Sequence, residues 1–123
     1  MEERMQPDSA VVMYQRAIKQ SMASKDTKLI GLIYNQLGDL YLSHYLFNKS
    51  LLSYQSGLKY NQLFLDKINA SKSLRGIGKS YTYRSMPDSG LIYLSQALQL
   101  SESINDKEEV VRIHNNISNA ILR

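Results

Sequence analysis

The chain has 123 residues, 43% apolar and 21% charged, a balance that excludes a disordered tail and is enough for one ordinary domain with a buried core. With no cysteine, disulfides, thiolate metal sites and cysteine nucleophiles are excluded. No window approaches the roughly eighteen apolar residues of a membrane span, and the formal charge of +4 with a pI near 9.3 attracts acidic surfaces without resembling a nucleic-acid-binding tail.

The apolar spacing predicts six helices. The first covers 8–23 and opens at Pro7, where proline with Asp-Ser beside it is a helix-start signal. The second covers 27–43, with Ile30, Ile33, Tyr34, Leu37, Leu40 and Tyr41 on an i, i+3, i+4, i+7 pattern. The third, 47–64, continues that period through Leu51, Leu52, Tyr54, Leu58 and Leu63. A fourth follows at 67–84. The fifth, 87–103, repeats the Pro-Asp-Ser start at Pro87, and the sixth spans 106–122. Polar breaks at SKD, HYLFNK, YRSMPDS and SINDK separate these segments, and no alternating apolar-polar run competes. The expected class is all-α.

One register relates the segments. Tyr34, Leu37, Gly38 and Tyr41 match Leu74, Ile77, Gly78 and Tyr81 forty residues later, and more loosely His114, Ile117, Ser118 and Ile121. Ala10, Tyr14 and Ala17 match Ser50, Tyr54 and Gly57, then Gly90, Leu94 and Ala97. This is an internal repeat of helix pairs. Close packing of two helices needs small residues where the backbones approach, so Gly38, Gly78 and Ser118 are the expected contacts on the first helix of each pair. Ala17, Gly57 and Ala97 serve the second helix. Met13, Met22 and the tyrosine stripe are expected in the core.

The pattern YxxLGxxY followed by SxxxYxxG resembles the tetratricopeptide repeat (TPR) family. Tyr34, Leu37, Gly38 and Tyr41 stand at its helix A positions, and Ser50, Tyr54 and Gly57 at those of helix B. Ile77, Gly78, Tyr81 and Ala97 fill them again in the next unit. The period is forty rather than the usual 34, which resembles the longer repeats of kinesin light chains, bacterial peptide-sensing regulators and large bacterial signalling proteins. The resemblance implies a right-handed superhelical solenoid of antiparallel helix pairs, one TPR-like domain over 1–123. Residues 8–23 would be helix B of an incomplete repeat, 27–64 and 67–103 whole repeats, and 106–123 helix A of another. The register also predicts an excised piece of a longer protein, able to self-associate through uncapped end helices.

In that family helix A lines an inner, concave wall. The resemblance then places the residues after Tyr34 and Gly38 in the groove: Asn35 and Asp39, Arg75 and Lys79, Asn115 and Asn119. Each pair is spaced i, i+4 and shares one stripe. Lys72 and Arg112 add to a positive middle suited to an acidic or carboxylate-bearing partner. Carboxylate-clamp members of the family hold a peptide's C-terminus with basic residues and asparagines at comparable positions; Asp39 departs from that set.

Other signals carry little. SLRGIGKS ends like a phosphate-binding loop, but Ser73 stands where that motif needs glycine, and no strand precedes it. His114 shares the register of Tyr34 and Leu74, so a packed ring is expected there, with His44 at a helix end. The pairs Glu2-Glu3 and Glu108-Glu109 fit first-turn or surface charge. No catalytic constellation, cofactor or metal site is expected. The expected function is a non-catalytic protein–protein interaction module that binds a peptide or protein segment in its groove, within a larger bacterial regulatory or signalling protein. The setting expected is cytoplasmic, with a periplasmic sensor segment as the alternative. Two other readings are an oligomerising spacer with no peptide ligand and a nucleic-acid-associated regulator fragment using Lys72, Arg75 and Lys79.

Overall fold

The structure, a computed structural model, describes residues 9–25 and 27–122. Pro7 and the Glu2-Glu3 pair lie outside them. Six helices account for the regular structure: α1 (Ser9–Ala23), α2 (Ile30–Ser43), α3 (Phe47–Leu63), α4 (Lys67–Tyr83), α5 (Pro87–Ser103) and α6 (Lys107–Ile121). The described residues contain no strand, so the all-α expectation holds. Where the two can be compared, the expected boundaries fall within one residue of these, except at α2. That helix begins at Ile30 rather than 27 because the Ile30 N–H bonds the Thr27 carbonyl at 3.2 Å in a tight turn. Leu29, at the cap position, offers no side-chain acceptor for an earlier start.

The connections share one geometry. Lys25, Tyr45, Leu65, Ser85 and Asn105 all have positive φ, between 56° and 63°, and they are spaced twenty residues apart. After α2, the Tyr45 N–H bonds the Leu42 carbonyl and the Leu46 N–H bonds the Tyr41 carbonyl. This Schellman ending satisfies carbonyls that the helix leaves open. It recurs at 65, 85 and 105 with the same bond pattern. The forty-residue sequence repeat is therefore two twenty-residue backbone units. What alternates is the cap: Asp66 and Asp106 accept from the backbone N–H groups of Asn69 and Glu109 to open α4 and α6. Leu46 and Met86, before α3 and α5, make no such bond, and Pro87 opens α5 instead.

Successive helices are antiparallel. Across α2 and α3, Gly38 faces Tyr54, Gly57 faces Asn35, and Gly31 faces Asn61, the numbers rising in one helix as they fall in the other. Across α4 and α5 the corresponding approaches are Gly78 to Leu94 and Gly90, and Ser71 to Ala97. Each helix packs on the next, α2 also on α4, and α4 on α6. Among the described residues no Cα of α3 lies within 8 Å of one in α1 or α5. The result is two rows, one with adjacent members (α2, α4, α6) and one with separated members (α1, α3, α5). The core is correspondingly strung out in three clusters, around Ile30 and Leu37, around Tyr54 and Ile77, and around Leu94 and Ile113.

Two glycines are demanded by one ring. A Cβ on Gly38 would lie 2.7 Å from the Tyr54 ring, and one on Gly76 2.4 Å from the same ring. Tyr54 of α3 is 1% exposed and wedged between α2 and α4. Its counterpart forty residues on is Leu94, which fits against Gly78.

Some core expectations fail. Met13 and Met22 are exposed on α1, as are Leu52 and Leu63 on α3. These side chains project from the separated row, where no described helix covers them. His114 and Ser118 are exposed on α6 because no described helix packs against that face.

Replacing Gly38 with leucine is expected to destabilise the fold by roughly 1–3 kcal/mol through overpacking on Tyr54, although leucine is the better helix former by about 1 kcal/mol. A denaturant titration that shows no loss would remove the ring-in-groove assignment. At Leu65, which is 82% exposed, left-handed backbone costs a branched residue about 1–2 kcal/mol. Leu65→Gly is therefore expected to raise stability by roughly 0.5–1 kcal/mol after the glycine's unfolded-state entropy is counted, and Leu65→Ala is expected to show no such gain.

Candidate interaction groove

The adjacent row α2, α4, α6 carries every residue expected in the groove. Two stripes along it behave differently. The first is Asn35, Arg75 and Asn115. Asn35 is buried, 5% exposed, and does not line a groove. It donates from Nδ2 to the Asn69 carbonyl at 3.0 Å and accepts from Ser73 Oγ at 2.6 Å, and Ser73 Oγ in turn accepts from Asn61 Nδ2 at 3.1 Å. A single polar chain thus ties α2, α4 and α3 together. Full satisfaction is what makes such a buried network tolerable.

Arg75, forty residues later, makes the same kind of link from α4 to α6. Its Nε donates to Glu109 Oε2 at 2.5 Å, and Glu109 is fully buried. Glu109 corresponds to Asn69 in the register, so the same two positions clasp neighbouring helices in both units. Of the two readings expected for Glu109, the first-turn one holds, since it stands in the first turn of α6, but it is buried rather than surface charge. Burial is possible because Arg75 neutralises the carboxylate and Asp106 caps the turn around it. Thirty-four residues separate both Asn35 from Asn69 and Arg75 from Glu109; that shared spacing was the available sequence signal. Asn115, the third member of the stripe, is exposed, with no described helix beyond α6 for it to clasp.

The second stripe is Asp39, Lys79 and Asn119, and this one opens onto space. Asp39, Arg75 and Lys79 line a cleft of about 510 Å³ with Tyr45, Phe47 and Tyr83. Lys79, Tyr83, Asn116 and Asn119 line a second of about 290 Å³. The two clefts meet at Lys79 and Tyr83. The aromatic wall is ordered by a stacked Phe47–Tyr83 pair, ring centres 5.9 Å apart, with Tyr45 edge-on to Phe47 at 6.3 Å. None of these three rings was among the expected groove residues, because they come from helix ends and connections rather than from the periodic stripe. Lys72 is half-buried on α4 and lines neither cleft. Arg112 is exposed and pairs with Glu108 at 3.1 Å on its own helix.

Charge in the groove is more balanced than the sequence suggests. Arg75 is neutralised by Glu109, and Asp39 accepts a short hydrogen bond from the Tyr54 hydroxyl. Lys79 makes no ion pair among the described residues. Burial, with Arg75 beside it, holds its ammonium below the usual lysine range, while Asp39 and Glu109 pull the other way. Among the described residues, Glu109 Oε1 and Asn116 Oδ1 on α6 are buried with no hydrogen-bond partner, although Arg112 stands 3.9 Å from Glu109 Oε1. The described residues hold no cluster of histidine or carboxylate side chains able to bind a metal ion, and no helix among them is long and apolar enough to cross a membrane.

Burial raises the Tyr54 hydroxyl above the ordinary tyrosine range, and the Asp39 carboxylate adds to the effect. Above pH ~10, where an unfolded tyrosine ionises, the native chain keeps this proton and the unfolded chain loses it, so stability falls as pH rises. Lys79 contributes with the opposite sign over the window between its lowered value and the ordinary one. Tyr54→Phe is expected to cost roughly 1.5–3 kcal/mol at pH 7 through loss of the charge-assisted bond, and to flatten the alkaline decline between pH 9.5 and 11. Urea midpoints across that range check both; an unchanged alkaline slope would show that Tyr54 is not its source. In comparisons with protein-family models and with curated proteins, the chain matches none.

Proposed function

We propose that this chain is a non-catalytic protein–protein interaction module of TPR-like architecture. In this reading α2, α4 and α6 form the concave inner wall of a right-handed solenoid, and a segment of a partner protein lies across them. The adjacent inner row and separated outer row support that curvature, since helices that touch on one side and splay on the other bend the array. The observation that carries the proposal is the meeting of two clefts at Lys79, a half-buried cation without an ion-pair partner among the described residues, beside the stacked Phe47–Tyr83 rings. Such a site suits a segment that presents an acidic group and an apolar or aromatic side chain. The setting we infer is a larger bacterial regulatory or signalling protein.

Lys79 is a better probe than Arg75, because reversing Arg75 would strand the buried Glu109 carboxylate and unfold the site along with the groove. A peptide array probed with the wild type and with Lys79→Glu is the direct experiment. Acidic peptides that bind the wild type are expected to lose at least tenfold in affinity for the variant, with far-UV circular dichroism unchanged. An array without acidic preference, or one that does not distinguish the two proteins, would overturn the groove assignment.

A further inference from the structure

Away from the inner row, the gap between α1 and α3 forms a cleft of about 760 Å³ floored by α2. We infer that it is a second binding site, one that accepts an aromatic side chain from an acidic segment of a partner protein. The repeat itself shows why this gap is open. In the equivalent gap between α3 and α5, Tyr93 of α5 stacks on Tyr81 of α4, ring centres 5.6 Å apart and planes within 16°. Forty residues earlier the floor ring is retained as Tyr41, but the position of Tyr93 is held by Ser53. Ser53 is buried and lines the cleft, and Tyr41 lines it with no stacking partner among the described residues. One tyrosine-sized ring is missing from an arrangement that the neighbouring unit completes internally.

The surroundings say what should accompany the ring. Val12, Ile18, Leu37 and Leu52 supply apolar walls. Lys49 stands over the Tyr41 ring at 5.7 Å, and the Tyr41 hydroxyl accepts from Gln15 Nε2 at 3.3 Å, so the floor ring is held in place. Arg16, Lys19 and Lys49 ring the mouth, all exposed and none in an ion pair among the described residues. The α3–α5 gap keeps only one of these three cations: the positions of Lys49, Arg16 and Lys19 become Ser89, Ser56 and Lys59 there, with Arg84 over the Tyr81 ring at 6.0 Å. An open ring position under three cations selects an aromatic residue flanked by carboxylates, by charge complementarity and helix-in-groove or extended docking.

The test uses three short blocked peptides: one phenylalanine among aspartates and glutamates, the same sequence with alanine for phenylalanine, and a phenylalanine peptide with lysine flanks. Binding is followed by NMR of the Tyr41 ring and the Ser53 amide in the whole chain. The acidic phenylalanine peptide is expected to shift both, and the other two to bind at least tenfold more weakly. Ser53→Tyr fills the gap from within, so it is expected to weaken the acidic phenylalanine peptide at least tenfold while melting no lower than the wild type. If that variant does not fold, the exposed pair Arg16→Glu with Lys19→Glu tests the rim and is expected to weaken the same peptide at least tenfold. The inference is overturned if the acidic phenylalanine peptide shifts neither signal at millimolar concentration, or if the folded variants bind it as the wild type does. Shifts confined to Lys79 and Tyr83 would also overturn it and assign such peptides to the inner groove.

Discussion

The structure is organised around one ring in a space made for it. Tyr54 leaves α3 and enters between α2 and α4, where Gly38 and Gly76 lack the side chains that would block it. Its hydroxyl reaches through to Asp39 on the far side. Three helices are therefore fixed by a single side chain, and the polar end of that side chain emerges on the inner row. Packing and surface chemistry meet at this residue: anything that moves the ring moves Asp39, and with it one wall of the groove.

The same economy appears in the polar clasps. Asn35 and Arg75 occupy one register position, and both reach across to the next member of the inner row, at Asn69 and Glu109. One clasp is neutral and the other ionic. An ion pair this buried is costly to desolvate and gains its worth from geometry, so its effect is more on the alignment of α4 and α6 than on net stability. Because the clasps engage Asn35 and Arg75, the stripe one turn further along, at Asp39, Lys79 and Asn119, is the one whose members all line the two clefts. The array also differs between its units. Leu94 replaces Tyr54, and Tyr93 replaces Ser53. These exchanges leave the backbone repeat intact while opening one outer gap and closing the next.

The order and most limits of the described helices were legible in the residues, since apolar period and the Pro-Asp-Ser start at Pro87 are local signals; the start of α2 was not, because a tight turn from Thr27 to Ile30 precedes it. The packing role of Gly38 and Gly78 was legible too, through the register alone. Gly76 was not, because it lies outside the repeated positions and its reason is a ring from another helix. The groove was half legible. Asp39, Lys79 and Asn119, which the resemblance placed on the inner face, do line the clefts, but Asn35 and Arg75 belong to the same periodic face and periodicity cannot tell a clasp from a solvated side chain. Tyr45, Phe47 and Tyr83 escaped notice because they stand where helices end, and only the fold brings them beside Lys79.

What the sequence by itself determined is the repeat: the six helices of the described residues, their alternation and the small residues that let them approach, all encoded in spacings of three, four and forty. Tertiary structure alone decided which polar residues are spent on holding helices together and which are left facing space. That division depends on what lies across from each residue. A partner thirty-four positions away turns Asn35 and Arg75 into structural contacts, and the absence of one among the described residues leaves Lys79 at the meeting of two clefts.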